Sequence, residues 1–162
     1  MAYTKEKVYE LLAEKGIRYD VKEHEPVLTM EDMEKLGLLE KGTVCKNLFL
    51  RDAKGKKHFL VTVPDAKQVD LKSLGEKLGT RLSFASAERL QKYLGIETGC
   101  VSPLASLNDT DKAVTIVLDR DLSGDPAIGV HPNDNTATIW LSFDDLKSII
   151  ESDGRKIRLI TV

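Results

Sequence analysis

The chain is poor in cysteine and in aromatic residues, and it has no long apolar run. Two cysteines in 162 residues, Cys45 and Cys100, make neither a disulfide framework nor a CxxC metal pair. That scarcity suits a reducing compartment, so a cytoplasmic location is expected. Each cysteine reads as a small buried hydrophobe rather than as a nucleophile. The longest apolar stretches fall far short of a bilayer span, and Met1-Ala2-Tyr3-Thr4-Lys5-Glu6 lacks an apolar signal region, so no membrane association is expected. Gly-x-Gly-x-x-Gly, Walker A, His-Glu-x-x-His and Gly-x-Ser-x-Gly motifs are all missing. The three histidines, His24, His58 and His131, do not stand at metal-ligand spacing, and neither a metal nor an organic cofactor is expected.

What is present is an ordinary soluble composition, 41 % hydrophobic and 31 % charged, in a chain long enough for one domain spanning residues 1–162. The net charge of −2 argues against a general nucleic-acid binder, and DNA is not an expected partner. The charge is unevenly spread. Residues 41–92 carry twelve Lys/Arg against five acids, whereas 1–40 carry six against ten and 93–162 six against eleven. A basic third between acidic flanks suits a local anionic contact such as the end of a nucleic acid; a solvated lysine-rich face is the alternative.

Periodicity supplies the elements. Val8, Leu11 and Leu12 predict a helix over residues 4–15, closed at Gly16. A short strand follows at 18–22. Thr29 with Asp32 resembles a capping box opening a helix to about Leu36. Residues 43–64 read as a hairpin about the turn Ala53-Lys54-Gly55-Lys56-Lys57. Helices capped by Asp70, Ser86 and Ser142, and strands at 81–84, 113–119, 127–130, 136–141 and 156–162, complete an α+β domain of about seven strands in a mixed sheet. The 113–119 strand is apolar enough to be central.

Three pieces do not serve packing in an obvious way. In the hairpin, alternation puts Lys46 on one face with Leu48 and Leu50, and Cys45, Asn47, Phe49 and Arg51 on the other. An ammonium among leucines is costly unless it reaches water at the strand end or meets an anion. Gly99-Cys100-Val101-Ser102-Pro103 is a glycine-bounded loop that either turns several backbone N–H groups to one point or serves turn geometry alone. His131-Pro132-Asn133-Asp134-Asn135 is a polar loop between two strands.

Taken together and in order, Cys45-Lys46-Asn47-Leu48-Phe49-Leu50-Arg51-Asp52, Arg81-Leu82-Ser83-Phe84, Gly99-Cys100-Val101-Ser102-Pro103 and His131-Pro132-Asn133-Asp134-Asn135-Thr136-Ala137-Thr138 strongly resemble the YbaK/prolyl-tRNA synthetase-associated editing family. The resemblance runs from about residue 5 to the C-terminus and is nearest the free-standing ProX (PrdX) type. It implies a mixed, partly barrel-like sheet with surrounding helices, and a deacylase acting in trans on proline tRNA mischarged with alanine. Prolyl-tRNA synthetase is a second candidate partner. The resemblance makes Lys46, Gly99 and His131 the catalytic candidates. Lys46 would meet the terminal adenosine phosphate or hold the ester, the 99–103 backbone would bind the aminoacyl carbonyl, and His131 would act as a base, place water or brace its loop. Asn47, Cys100, Val101, Ser102, Pro103, Asn135 and Thr138 would line the substrate site, with Thr29 and Met30 on the other side. Arg51 and Arg81 would contact the tRNA acceptor end. A binding module that senses aminoacyl-tRNA without hydrolysing it is the alternative.

Overall fold

The structure, a computed structural model, describes residues 3–26 and 30–162. The elements arise where local chemistry places them. Thr4 caps α1 (Lys5–Glu14), its side chain accepting from Lys7 N–H. Strand β1 (Asp20–Glu23) and helix α2 (Met30–Lys35) follow. The hairpin is β2 (Thr43–Asp52) and β3 (His58–Pro64), with Lys46 opposite Val63 and Asn47 opposite Thr62. Asp70 caps α3 (Leu71–Leu78), β4 (Leu82–Phe84) comes next, and Ser86 caps α4 (Ala87–Leu94). Strands β5 (Val114–Asp119), β6 (Ile128–Val130) and β7 (Ala137–Leu141), the Ser142-capped helix α5 (Phe143–Glu151) and β8 (Ile157–Ile160) complete the chain.

The described strands number eight rather than about seven, and the first begins at Asp20 rather than Arg18. Three short 3-10 turns, at Leu38–Glu40, Pro103–Asn108 and Arg120–Leu122, were not foreseen, because turns this short carry no hydrophobic period. The capping box at Thr29 lies outside the described residues.

The strands form one mixed sheet in the order β1-β7-β6-β2-β3-β5-β8, with β4 added to β2. The pairing path is open, β1 and β8 being its ends among the described residues. Strand β5 lies between β3 and β8 and feeds both main core clusters: Val114, Ile116 and Leu118 on one side, Val117 on the other. It is an interior strand, one in from the β8 end of the path rather than at the centre, and it is covered on both faces, as its continuous apolar pattern predicts.

Strand β2 organises the site. Along one edge it pairs with β3 from Cys45 to Arg51. Along the other it pairs in parallel with β6 only at Thr43 and Val44, then antiparallel with β4 only from Leu50 to Asp52. Between those segments no strand covers that edge among the described residues. The gap runs beside Cys45, Lys46, Asn47 and Leu48, and it narrows where Ala85 N–H donates to Phe49 O at 3.0 Å. Unpaired strand edges present backbone groups to a ligand.

Candidate active site

The alternation of β2 is as the sequence predicts. Leu50 belongs to the cluster of Phe59, Val61, Val63 and Leu74, with Leu48 packed against it, while Cys45 and Phe49 join the larger cluster on the other face. Lys46 is half-buried on the Leu48 face, and its ammonium makes no ion pair or hydrogen bond among the described residues. By contrast, Lys67, in the turn after β3, holds Asp119 and Asp121 at 2.5 and 2.6 Å. A half-desolvated cation at a gap in a sheet is prepared for an anion from outside.

Asn47 points the other way and ties the gap to the glycine loop. Its Oδ1 accepts from the fully buried Thr62 hydroxyl at 2.6 Å, and its Nδ2 donates to Val101 O at 3.3 Å. The loop is thereby fastened to β2 and β3 across more than fifty residues of sequence. Gly99 has φ +94°, a backbone region that side chains other than glycine disfavour. Ser102 is fully buried and spends its hydroxyl on Leu104 N–H at 3.1 Å, capping the 3-10 turn Pro103–Asn108. Pro103 is buried as well, so these two act through backbone and packing. Cys100 N–H donates to Glu97 O at 3.1 Å. The amides of Gly99, Val101 and Ser102 donate to no group among the described residues.

The third piece is the loop after β6. The β2–β6 register, Thr43 with Ile128 and Val44 with Gly129, brings the start of this loop to the Val44 end of the gap, two residues from Lys46 along β2. His131 is half-buried, and its Nδ1 lies 2.9 Å from Ala137 O. A carbonyl can only accept, so Nδ1 carries the proton and Nε2 of the neutral ring is an acceptor. Burial holds the His131 pKa below the ordinary 6.5, which keeps that acceptor available at neutral pH. The backbone N–H of Asn135 faces the Cys100 thiol, joining the glycine loop to the histidine loop. Burial nevertheless pushes the Cys100 thiol up and the Cys45 thiol further up, so neither is a thiolate at neutral pH.

His24 is the residue that the sequence reading passed over. Its Nδ1 donates to Glu25 O at 2.7 Å, so its Nε2 accepts from the buried Thr138 hydroxyl at 2.8 Å. Its ring centroid is 6.5 Å from that of His131. Thr138 therefore serves the wall by holding His24. The signal was a histidine just after a strand, but nothing local distinguishes it from any surface histidine. Of the remaining candidates, Thr29 lies outside the described residues, and Met30 opens α2. Arg51 and Arg81 are at the other end of the gap: Arg51 pairs with Ser83 and Arg81 directly precedes β4, apart from the Lys46–His131 region. No group of His, Cys, Asp and Glu able to hold a metal occurs among the described residues. No helix there is long and apolar enough to cross a membrane.

Removing the Asn47 amide tests the fastening. Asn47→Ala leaves the Thr62 hydroxyl buried without its acceptor and frees Val101 O. It should cost roughly 1–3 kcal/mol of stability in urea unfolding, and an Asn47→Ala midpoint equal to that of the wild type would show the brace to be idle.

Comparison with known proteins shows the family of the chain. Residues 24–149 match the family model described as the aminoacyl-tRNA editing domain. The chain is 46 % identical over 157 residues to the prolyl-tRNA editing protein ProX of Acetoanaerobium sticklandii, covering 96 % of each protein. It is 37 % identical over 148 residues to prolyl-tRNA synthetase associated domain-containing protein 1 of Bos taurus, covering 88 % of this chain and 86 % of that one. A crystal structure described as a candidate trans-editing enzyme for prolyl tRNA synthetase superposes with a TM-score of 0.70 at 20 % identity, covering 100 % of this chain and 99 % of the other, which supports the fold. The sheet gap, the glycine loop fastened to it and the histidine loop beside it thus belong to a member of the aminoacyl-tRNA editing domain family.

Proposed function

We propose that this chain, acting as one domain in the cytoplasm and in trans, hydrolyses the ester that joins a misattached amino acid, alanine foremost, to proline tRNA. The relative named a prolyl-tRNA editing protein, at 46 % identity along nearly the whole chain, supports the substrate class. The observation that carries the chemistry is the set of uncommitted main-chain donors at Gly99, Val101 and Ser102 in a loop fastened to Asn47, the residue next to an unpaired half-buried lysine on β2.

An aminoacyl ester is already activated, so its hydrolysis asks for placement more than for a strong nucleophile. The Lys46 ammonium meets the terminal adenosine phosphate and anchors the ester at the gap. Loop amides face the carbonyl oxygen and hold the charge that develops on it as water adds. His131 Nε2 accepts a hydrogen bond from that water, and collapse of the tetrahedral adduct breaks the C–O bond, returning a proton to the ribose hydroxyl. Specificity follows from size. A synthetase site built for proline rejects the smaller alanine by only about 1–3 kcal/mol, so a second site too tight for proline removes the error. Binding in trans, with or without prolyl-tRNA synthetase present, needs only the acceptor end.

Deacylation of alanyl and prolyl esters of proline tRNA tests the proposal. Release of alanine with the prolyl ester spared is the expected result; tight binding of both esters with no release would make the chain a binding module. Arg51→Ala and Arg81→Ala should each weaken tRNA binding and lower the slope of log K against log salt by about one. Unaltered slopes would remove both side chains from the phosphates.

A pH profile gives a further check. Both His131 and His58 have folded pKa values below 6.5, in each case chiefly through burial. Their stabilising contribution is therefore complete above 6.5 and is lost as pH falls through the folded values. Deacylation should fall over that same acid range, because protonation removes the Nε2 acceptor. His131→Gln should flatten the limb, and an unchanged limb in that variant would assign it to another group.

A further inference from the structure

Phe84 is the most exposed large apolar side chain among the described residues, at 63 %, and nothing in the proposed chemistry uses it. It ends β4, which pairs with β2 alone, so its other edge is open. A bare aromatic on an open edge strand invites aggregation and is normally avoided or charged over. Here exposed cations stand on the Phe84 side, Arg81 immediately before the strand and Lys72 on α3, both beside Leu82; Arg51 and Arg89, the latter bonded to Gly55 O and His58 Nε2 at 3.0 Å each, rise from the opposite face. Lys54, Lys56 and Lys57 in the hairpin turn are exposed.

The register fixes where Phe84 stands relative to the candidate active site. Phe84 is the cross-strand partner of Leu50, and such partners share a face. Leu50 shares its face with Leu48 and Lys46. Lys46 and Phe84 therefore rise from the same side of the sheet, separated by four residues of β2, about 13 Å. A couple of unstacked nucleotides cover that distance. On the same side, a groove of about 700 Å³ between α3 and β4 has Leu71 and Leu82 among its apolar lining, with Lys72 and Arg81 against the single acid Glu76.

An aromatic face within a basic surface is what single-stranded nucleic acid binds, bases stacking on the ring while the cations track the backbone. We propose that Phe84 is a stacking platform for one of the two cytosines that precede the terminal adenosine in the CCA end of tRNA. This rests on the proposed function, since the terminal adenosine is what Lys46 anchors. Stacking there sets the direction of the strand across the gap and places the ester at Lys46 without reading sequence, the last nucleotides being common to all tRNAs. Discrimination of the tRNA is then left to groups further along the acceptor stem.

Two experiments separate this inference from the reading beneath it. In Phe84→Trp the new indole is exposed while the native Trp140 is 2 % exposed, so accessible fluorescence reports position 84. Titration with a single-stranded RNA oligonucleotide ending in CCA should quench it, and an oligonucleotide abasic at both cytosines should not. Equal quenching by the two would overturn the proposal. This measurement requires no turnover, so it stands even if deacylation fails and the enzymatic reading falls. In steady-state deacylation, Phe84→Leu keeps the apolar bulk but loses the π face, and should raise KM for alanyl-tRNA roughly tenfold. The rise should disappear with alanyl-adenosine, which has no cytosine to stack, and Phe84→Trp should restore the tRNA value. A Phe84→Leu enzyme with wild-type KM for tRNA, or one equally impaired on alanyl-adenosine, would overturn the proposal.

Discussion

Lys46→Ala is expected to lower kcat/KM for alanyl-tRNA by a hundredfold or more, the cost of removing one preorganised electrostatic group from a reacting centre. Three features concentrate the effect on this residue. Its ammonium is half-buried, so its interaction with a bound anion is screened less than at the open surface. It has no partner among the described residues, so no internal ion pair has to break before substrate binds. Its neighbour Asn47 holds the glycine loop, so the cation and the loop amides are set by one stretch of β2. Lys46→Arg keeps the charge but not the compact head, and should recover only part of the activity. Removal of Lys46 also relieves a half-desolvated charge among leucines, so stability should hold or rise in Lys46→Ala. A loss of activity with intact folding is the signature sought. Cys45→Ala, one residue away and on the other face, should leave deacylation close to wild type. Comparable turnover in Lys46→Ala would take that residue out of the site.

The second large effect is on stability and lies away from the gap. Arg155→Ala should destabilise the protein by roughly 3–5 kcal/mol, the usual cost of breaking a buried ion pair from one side. Arg155 and Asp109 are 6 % and 4 % exposed, and Arg155 Nη2 lies 3.1 Å from Asp109 Oδ2. The guanidinium also donates to Val114 O and Asp109 O, each at 2.7 Å. Asp109 in turn accepts from Ala113 and Val114 N–H at 3.1 and 2.8 Å. One pair therefore gathers the end of the 3-10 turn that follows the glycine loop, the start of β5 and the approach to β8. Truncating Arg155 leaves the buried Asp109 carboxylate without its counter-ion and the carbonyls of Ser106, Asp109 and Val114 without these donors. Urea unfolding monitored at Trp140 measures the change. A shift under about 1 kcal/mol would mean that water takes over the guanidinium's contacts.

Part of this molecule was legible residue by residue. Asp70, Ser86 and Ser142 cap the helices that they announce, because a short polar side chain before an apolar 3.6-residue repeat satisfies free amides locally. The face assignment along β2 follows from the two-residue period of a strand, which by itself places Lys46 among leucines. The arrangement of the candidate site was legible only through the joint order of four motifs. Taken singly, the glycine loop was better explained as a plain turn.

Local pattern alone thus determined the main helices and strands, the caps Asp70, Ser86 and Ser142, the two faces of β2 and the odd lysine, since each depends on contacts within a few residues. Only the tertiary structure decided that β2 loses its neighbour between Val44 and Leu50, that Asn47 reaches Val101, that Thr138 is spent on His24, and that Phe84 shares a face with Lys46. Those are pairings between residues from about thirty to more than a hundred positions apart. Strand order and register select them, and neither leaves a trace in local periodicity.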